Sequence, residues 1–83
     1  MDTYLIVAQS ITQAQQMQRT LSRAGIPCRI VRGHRAITPQ GCGYTVQLPE
    51  AALWAAVRAL DQEGFRPYRV YAYNTRRYQE VTV

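Results

Sequence analysis

The sequence contains no lysine, and all ten of its basic residues are arginine. It is also poor in the side chains that most often bind metals or perform catalysis, with two cysteines, one histidine and five carboxylate residues. Two cysteines are too few for a disulfide framework or a zinc site. No paired carboxylates or nucleophile-base spacing suggest a self-contained hydrolase or oxidoreductase. We therefore expect no metal, no cofactor and no stand-alone enzymatic activity.

Long apolar runs are absent as well. No stretch is long enough to span a bilayer, and the first residues lack the charged and apolar regions of a signal peptide. These absences predict a cytoplasmic protein that does not contact membranes. With 83 residues, the chain is expected to form one domain over 1–83. Its core is expected at about 3–73, with 74–83 as an extra strand or a tail.

The net charge of +5 is unevenly distributed. No Asp or Glu occurs from Thr3 to Pro49, a stretch that holds five arginines. A positive field of this kind favours anions such as phosphate, nucleic acid or a thiolate. The alternative interpretation is that the charge serves only solubility.

Apolar periodicity predicts an α+β fold. Period-two or apolar segments indicate strands at 4–8, 26–32, 44–48 and 68–73, and helical spacing indicates helices at 11–24 and about 49–64. The order βαββαβ is that of the ferredoxin-like sandwich, an antiparallel sheet with both helices on one face. In this topology the first and third strands are central, and the second and fourth are outer. Met17 and Cys28 are expected in the core, with Trp54 covering its edge.

One cysteine stands out in the loop between the second and third strands. Cys42 lies between Gly41 and Gly43, which leave its thiol unshielded by neighbouring side chains. His34 and Arg35 precede it and contribute positive charge that favours a thiolate. The alternatives are a tight turn with an incidental thiol, and an exposed loop histidine without a catalytic role.

The predicted topology gives this loop a second neighbour. The first strand ends at the same rim of the sheet as the loop, so the helix start at Ser10, Ile11 and Thr12 is expected near Cys42. A helix N-terminus carries a partial positive charge and free N–H groups, which lower the pKa of a nearby thiol. The thiolate is the form that attacks sulfur or selenium.

The sheet face away from the helices offers a different kind of function. Arg69, Tyr71 and Tyr73 are expected to point outward there, which suits a non-enzymatic interaction module or a homodimer. The neighbouring strands add Arg29, Val31, Thr45 and Gln47. Single-stranded RNA binding is less favoured, because RNA-recognition sheets stack bases on aromatic residues of the central strands. Here the third strand offers Thr45 and Gln47 instead.

Three segments resemble the small selenium/sulfur carrier-like proteins, a family found beside or fused to sulfur-handling proteins. The most specific of them fixes a Cys-Gly pair after an Arg-Xaa-Ile-Thr element. Together the segments cover roughly residues 3 to 73. They are Tyr4-Leu5-Ile6-Val7 with Ser10 and Ala14, Gly25-Ile26-Pro27-Cys28-Arg29, and Arg35, Ile37, Thr38, Gly41, Cys42 and Gly43.

The resemblance implies a function. Cys42 matches the position on which the family is thought to move selenium or sulfur, as a persulfide or selenosulfide. It also implies a donor or acceptor protein, such as a cysteine desulfurase. His34 departs from the proline common in the family, and Cys28 stands where members commonly have an aliphatic residue. No resolving role is therefore carried over to Cys28.

Overall fold

A computed structural model describes residues 3–33, 43–75 and 77–83. Within them lie five strands, two α-helices and one 3-10 turn. In chain order these are β1 (Thr3–Ala8), α1 (Ile11–Arg23), β2 (Arg29–Arg32), β3 (Tyr44–Pro49), the 3-10 turn (Glu50–Ala52), α2 (Leu53–Gln62), β4 (Arg69–Asn74) and β5 (Arg77–Val81).

The strands form one antiparallel sheet in the order β2-β3-β1-β4-β5. This arrangement confirms the predicted ferredoxin-like fold. β1 is the middle strand, with Ile6 paired to Val46 of β3 and to Val70 of β4. These three side chains are almost completely buried and join Met17 of α1 and Leu60 of α2 in one cluster. Both helices therefore cover the same face of the sheet.

The last residues form a fifth strand rather than a tail. β5 pairs with β4 from Val70↔Val81 to Asn74↔Arg77. Thr75, at the reversal, has a φ of 50°, the left-handed conformation that tight hairpin turns use. The prediction that the fourth strand is outer was wrong, because β5 adds to its free side.

The second strand is shorter than its apolar pattern predicted. β2 starts at Arg29, whereas the pattern began at Ile26. The Ile26 N–H instead donates to the Leu21 carbonyl at 2.9 Å and closes the C-terminus of α1. Pro27 has no N–H to contribute to a strand ladder. These two residues therefore serve the helix end and the connection.

Trp54 does not cover the core. Its side chain is 61% exposed, while the next residue toward the N-terminus, Leu53, is buried. The buried stripe of α2 continues through Ala56, Val57 and Leu60. Successive residues are about 100° apart around a helix, so the residue after Leu53 points away from this stripe.

Candidate functional site

One rim of the sheet holds the predicted site residues that the structure describes, which are Ser10, Ile11, Thr12 and Gly43. Ala8 at the end of β1 pairs with Tyr44 at the start of β3, and Tyr44 pairs with Arg32 at the end of β2. The first turn of α1 begins at Ile11, three residues after Ala8. We call this end of the sheet the Ser10 rim. It brings together the start of α1 and both strand ends that flank residues 34–42.

The start of α1 is capped by side chains. Ser10 has extended backbone angles, and its hydroxyl accepts the Gln13 N–H at 3.1 Å. The Gln13 side-chain oxygen reaches back and accepts the Gln9 N–H at 2.6 Å. This reciprocal arrangement resembles a capping box.

The positive end of the α1 dipole is not neutralised locally. The first turn contains no acidic residue. Within the described ranges, no hydrogen bond is found from the backbone N–H of Ile11 or Thr12 to another described residue. The predicted helix-start residues therefore form a site with partial positive charge and two available donors.

The loop that carries Cys42 joins the sheet at this same rim. The Gly33 N–H donates to the Gly43 carbonyl at 3.0 Å, which pairs the two residues on either side of 34–42. Gly43 is the one predicted site residue of this loop that the structure describes. The others, His34, Arg35, Gly41 and Cys42, lie outside the described residues. Their proximity to the start of α1 stays a prediction.

Arg32 is a candidate that the sequence did not reveal. Its guanidinium lies over the Tyr44 ring, 6.0 Å from the ring centroid. Arg32 and Tyr44 share a row with Ala8, which belongs to the core, so this row faces the helices. The Arg32 cation is thus on the same face and rim as the start of α1. Only the cross-strand register shows the position of Arg32 at this rim. The sequence alone does not distinguish Arg32 from the other four arginines between Thr3 and Pro49.

At the β4 side of the rim, the Arg66 guanidinium is bound to other groups of the chain. Its Nε lies 2.8 Å from an Asp61 carboxylate oxygen, and its terminal amino group donates to the Val83 carbonyl at 3.1 Å. The Tyr68 hydroxyl also donates to Asp61, at 2.8 Å. The hydrogen bond from Arg66 lowers the pKa of Asp61.

The same cluster raises the pKa of Tyr68 to about 12. Desolvation by burial is the main cause, followed by the hydrogen bond to Asp61. These contacts join the end of α2, the start of β4 and the residues after β5. Arg66 therefore anchors chain segments and is a poor candidate for binding an external anion.

Cys28 lies at the opposite rim. It precedes β2 and is separated from Gly33 by five residues, about 16 Å in an extended strand. Its half-buried sulfur is 4.0 Å from the Gln18 carbonyl oxygen and packs against the core, as predicted. Burial raises the pKa of the Cys28 thiol, which disfavours its thiolate. The adjoining groove, of about 350 Å³, is lined by Thr3, Pro27, Cys28, Arg29, Gln47, Leu48 and Pro49.

Two other kinds of site were sought in the part of the chain that the structure describes. No group of three or more His, Cys, Asp or Glu side chains is arranged there to hold a metal ion. Neither described helix has the length and apolar character needed to cross a membrane.

Comparison with known proteins gives one match. Residues 3–72 match the model of a family described as "Putative Se/S carrier protein-like". No curated protein and no solved structure matches the chain. The matched range runs from the start of β1 to Ala72 in β4, includes Cys42, and stops short of β5. The chain belongs to this selenium/sulfur carrier-like family.

Proposed function

We propose that this protein carries sulfur or selenium as an adduct on Cys42. The observation that carries the proposal is the family match, which spans Cys42 and covers most of the chain. The family name suggests transport of a chalcogen atom rather than its chemical transformation. A carrier needs a nucleophilic thiol that a partner can reach, and the Gly41-Cys42-Gly43 sequence provides small neighbours for it.

The transfer requires no external oxidant. The Cys42 thiolate attacks the terminal sulfur of a donor persulfide and forms a new S–S bond to it. The S–S bond of the donor breaks, and the electron pair leaves with the donor thiolate. The outer sulfur thus moves from the donor cysteine to Cys42, and the reaction involves no net oxidation or reduction. A donor that holds selenium as a selenosulfide would react in the same way and leave selenium on Cys42.

The Ser10 rim supports the thiolate in this proposal. The first turn of α1 offers the unneutralised positive end of the helix dipole and the N–H groups of Ile11 and Thr12. Arg32 adds a full positive charge on the same face. Arg35, seven residues before Cys42, is the second arginine that we assign to this role. Together these groups would lower the pKa of the Cys42 thiol.

The proposal also separates the two cysteines. Cys28 is half-buried at the opposite rim, and its pKa is raised. It should neither accept the chalcogen nor resolve an adduct on Cys42. The expected partner is a protein that presents a persulfide, such as a cysteine desulfurase, followed by an acceptor protein that removes the atom.

A matched pair of variants tests the function. After incubation with a cysteine desulfurase and cysteine, intact-mass spectrometry of the wild type should show added sulfur, and peptide mapping should place it on Cys42. Cys28→Ser should load like the wild type, and Cys42→Ser should not load. Loading that survives in Cys42→Ser would refute the assignment. A Cys42 thiol pKa at or above about 8.5, the unperturbed value, would also argue against an activated nucleophile.

A second function, protein docking on the face opposite the helices, is favoured by two observations. Cross-strand register places Tyr71 beside Leu5 and Tyr73 beside Thr3, both on that face, and the Tyr73 and Tyr78 rings contact each other at 4.8 Å. If docking is the function, Tyr71→Ala should abolish partner binding while Cys42→Ser leaves it intact. Single-stranded RNA is less favoured, because Thr45 on the central strand β3 is completely buried. RNA binding would show a steep loss of affinity with salt.

A further inference from the structure

The sheet face opposite the helices, which we call the open face, has an ordered distribution of charge. Paired residues of antiparallel strands lie on the same face, so the register defines rows across the sheet. The middle row crosses all five strands. From β2 to β5 it reads Arg29, Gln47, Leu5, Tyr71 and Glu80.

This row is apolar at its centre and charged at its ends. Leu5 is only 7% exposed and lies outside the core cluster between sheet and helices. Arg29 and Glu80 are exposed at opposite ends. The Arg29 Nε donates to the Gln47 side chain at 3.3 Å, which leaves its terminal amino groups for another partner. Glu80 forms no ion pair with any residue that the structure describes.

We propose that the open face binds a second copy of this chain, with the twofold axis parallel to β1 and passing over it. Rotation about this axis exchanges the two sides of the sheet. β2 of one copy then lies over β5 of the other, because the strand order has two strands on each side of β1. Arg29 comes to face Glu80 of the second copy, and the symmetry creates this ion pair twice.

The charge pattern selects this axis over the alternative. A twofold axis parallel to the rows would place β2 over β2 and β5 over β5. Arg29 would then face Arg29 of the second copy, and Glu80 would face Glu80. Like charges brought together at an interface are unfavourable, so self-association with that geometry is disfavoured.

The other contacts of the middle row and those of one neighbouring row are compatible with the proposed axis. In the middle row, Leu5 meets Leu5 of the second copy, and Tyr71 meets Gln47, which can accept or donate a hydrogen bond. In the next row toward the opposite rim, the register aligns Pro49, Thr3, Tyr73 and Tyr78. There Tyr73 meets Pro49 of the second copy, which gives an apolar contact for the exposed proline ring.

The distances across such an interface are within reach. Two sheets pack face to face at about 10 Å, with their strands rotated by about 30°. An extended arginine and an extended glutamate together span roughly this separation. The rotation displaces residues two strands from the axis by about 5 Å, which flexible Arg29 and Glu80 side chains can accommodate.

The size of the face predicts a weak dimer. Five strands about 4.8 Å apart, each of four to six residues, give a face of about 20 × 20 Å. Each copy would therefore bury roughly 500 Å², close to the lower limit of about 1,000 Å² in total for specific interfaces. We expect a micromolar dissociation constant. Glu80 lies in β5, beyond residues 3–72 that the family model matches. The proposed contact therefore depends on a strand that the family match does not include.

Sedimentation equilibrium of the full chain tests the proposal by charge exchange. The wild type should dimerise within about 1–500 μM, the range expected for an interface of this size. Arg29→Glu should weaken association at least tenfold, because each attractive pair becomes repulsive. The double variant Arg29→Glu/Glu80→Arg should restore it, because the pairs are rebuilt with exchanged signs. Arg58→Glu, on the exposed surface of α2, applies the same charge change elsewhere and should leave dimerisation unchanged.

Each other outcome overturns the proposal. A wild type that stays at its monomer mass of 9.5 kDa throughout this range has no such interface. Equal weakening by Arg58→Glu would indicate a general charge effect. If the double variant does not recover dimerisation, the proposed Arg29–Glu80 contact is refuted. Sulfur loading on Cys42 is measured separately, so dimerisation and the carrier function can fail independently.

Discussion

The cap of α1 gives the most direct test of how the sequence builds the Ser10 rim. Ser10 has φ −156° and ψ 167°, and its hydroxyl accepts the Gln13 N–H. Ser10→Ala keeps the backbone free to adopt these angles and removes the acceptor. The Gln13 N–H then has only water as a partner, and the first turn of α1 should fray.

The expected loss follows from the geometry. The hydrogen bond is 3.1 Å long and exposed, so water replaces part of it. Replacing a serine N-cap by alanine typically costs about 1 kcal/mol, whereas glycine costs only a few tenths. Unfolding entropies of about 2.1 cal/mol/K per residue give about 0.17 kcal/mol/K for 83 residues. Ser10→Ala should therefore lower the melting temperature by about 6 °C.

Equilibrium unfolding in urea, with an unchanged m-value, measures this loss. Ser10→Asp should retain the cap, and Ser10→Gly should fall between it and alanine. Thr12→Ala is the matched control, because Thr12 is exposed in the same turn and its side chain forms no hydrogen bond with any described residue. This substitution should change the unfolding free energy by no more than about 0.5 kcal/mol. A loss in Ser10→Ala no larger than that in Thr12→Ala would refute the assignment of Ser10 as a cap.

Two further predictions concern stability. Met17→Ala removes a completely buried side chain and should cost about 2–5 kcal/mol, whereas Trp54→Ala, at a 61% exposed position, should change the unfolding free energy by about 0.5 kcal/mol or less. The same urea titration ranks the two variants, and a larger loss for Trp54→Ala would contradict the assigned orientation of α2. Tyr68 has a folded pKa of about 12, above its ordinary value of 10.0, so its stabilising contribution is complete below pH 10 and is lost as the pH rises toward 12. In Tyr68→Phe the fall of stability between pH 10 and 12 should be shallower than in the wild type, and an identical fall would show that Tyr68 does not contribute to it.

The sequence predicts elements with strong periodicity well. The apolar positions of α1 identify Met17 as core, and the alternation of 44–48 predicts the strand that lies at Tyr44–Pro49. The order of the elements then determines the ferredoxin-like arrangement, because few topologies fit βαββαβ. Outward-facing Tyr71 and Tyr73 follow from the same two-residue period and are confirmed by the register.

The features that the sequence did not predict depend on competition between local structures. Ile26 has a strand-like pattern, yet its N–H closes α1, because a helix C-terminus needs partners for its last carbonyls. Trp54 is large and apolar, yet the phase of α2 is set by four smaller residues on its other face. Arg32 becomes a site candidate only when cross-strand pairing places it beside Tyr44. Periodicity within one segment shows neither the Ile26 hydrogen bond nor the Arg32 pairing, although the helical spacing of α2 does place Trp54 away from the buried stripe.

The central place of β1 has a consequence for the order in which the chain folds. Thr3 pairs with Pro49 on one side and with Tyr73 on the other, so both partners are distant in sequence. Such non-local pairing gives a high contact order, which slows folding relative to helical proteins of similar size. During synthesis the apolar strand β1 emerges before both of its partner strands and obtains its second neighbour only after β4 has been made. The strand that organises the finished sheet is thus exposed for longest, and it is where we expect premature association to begin.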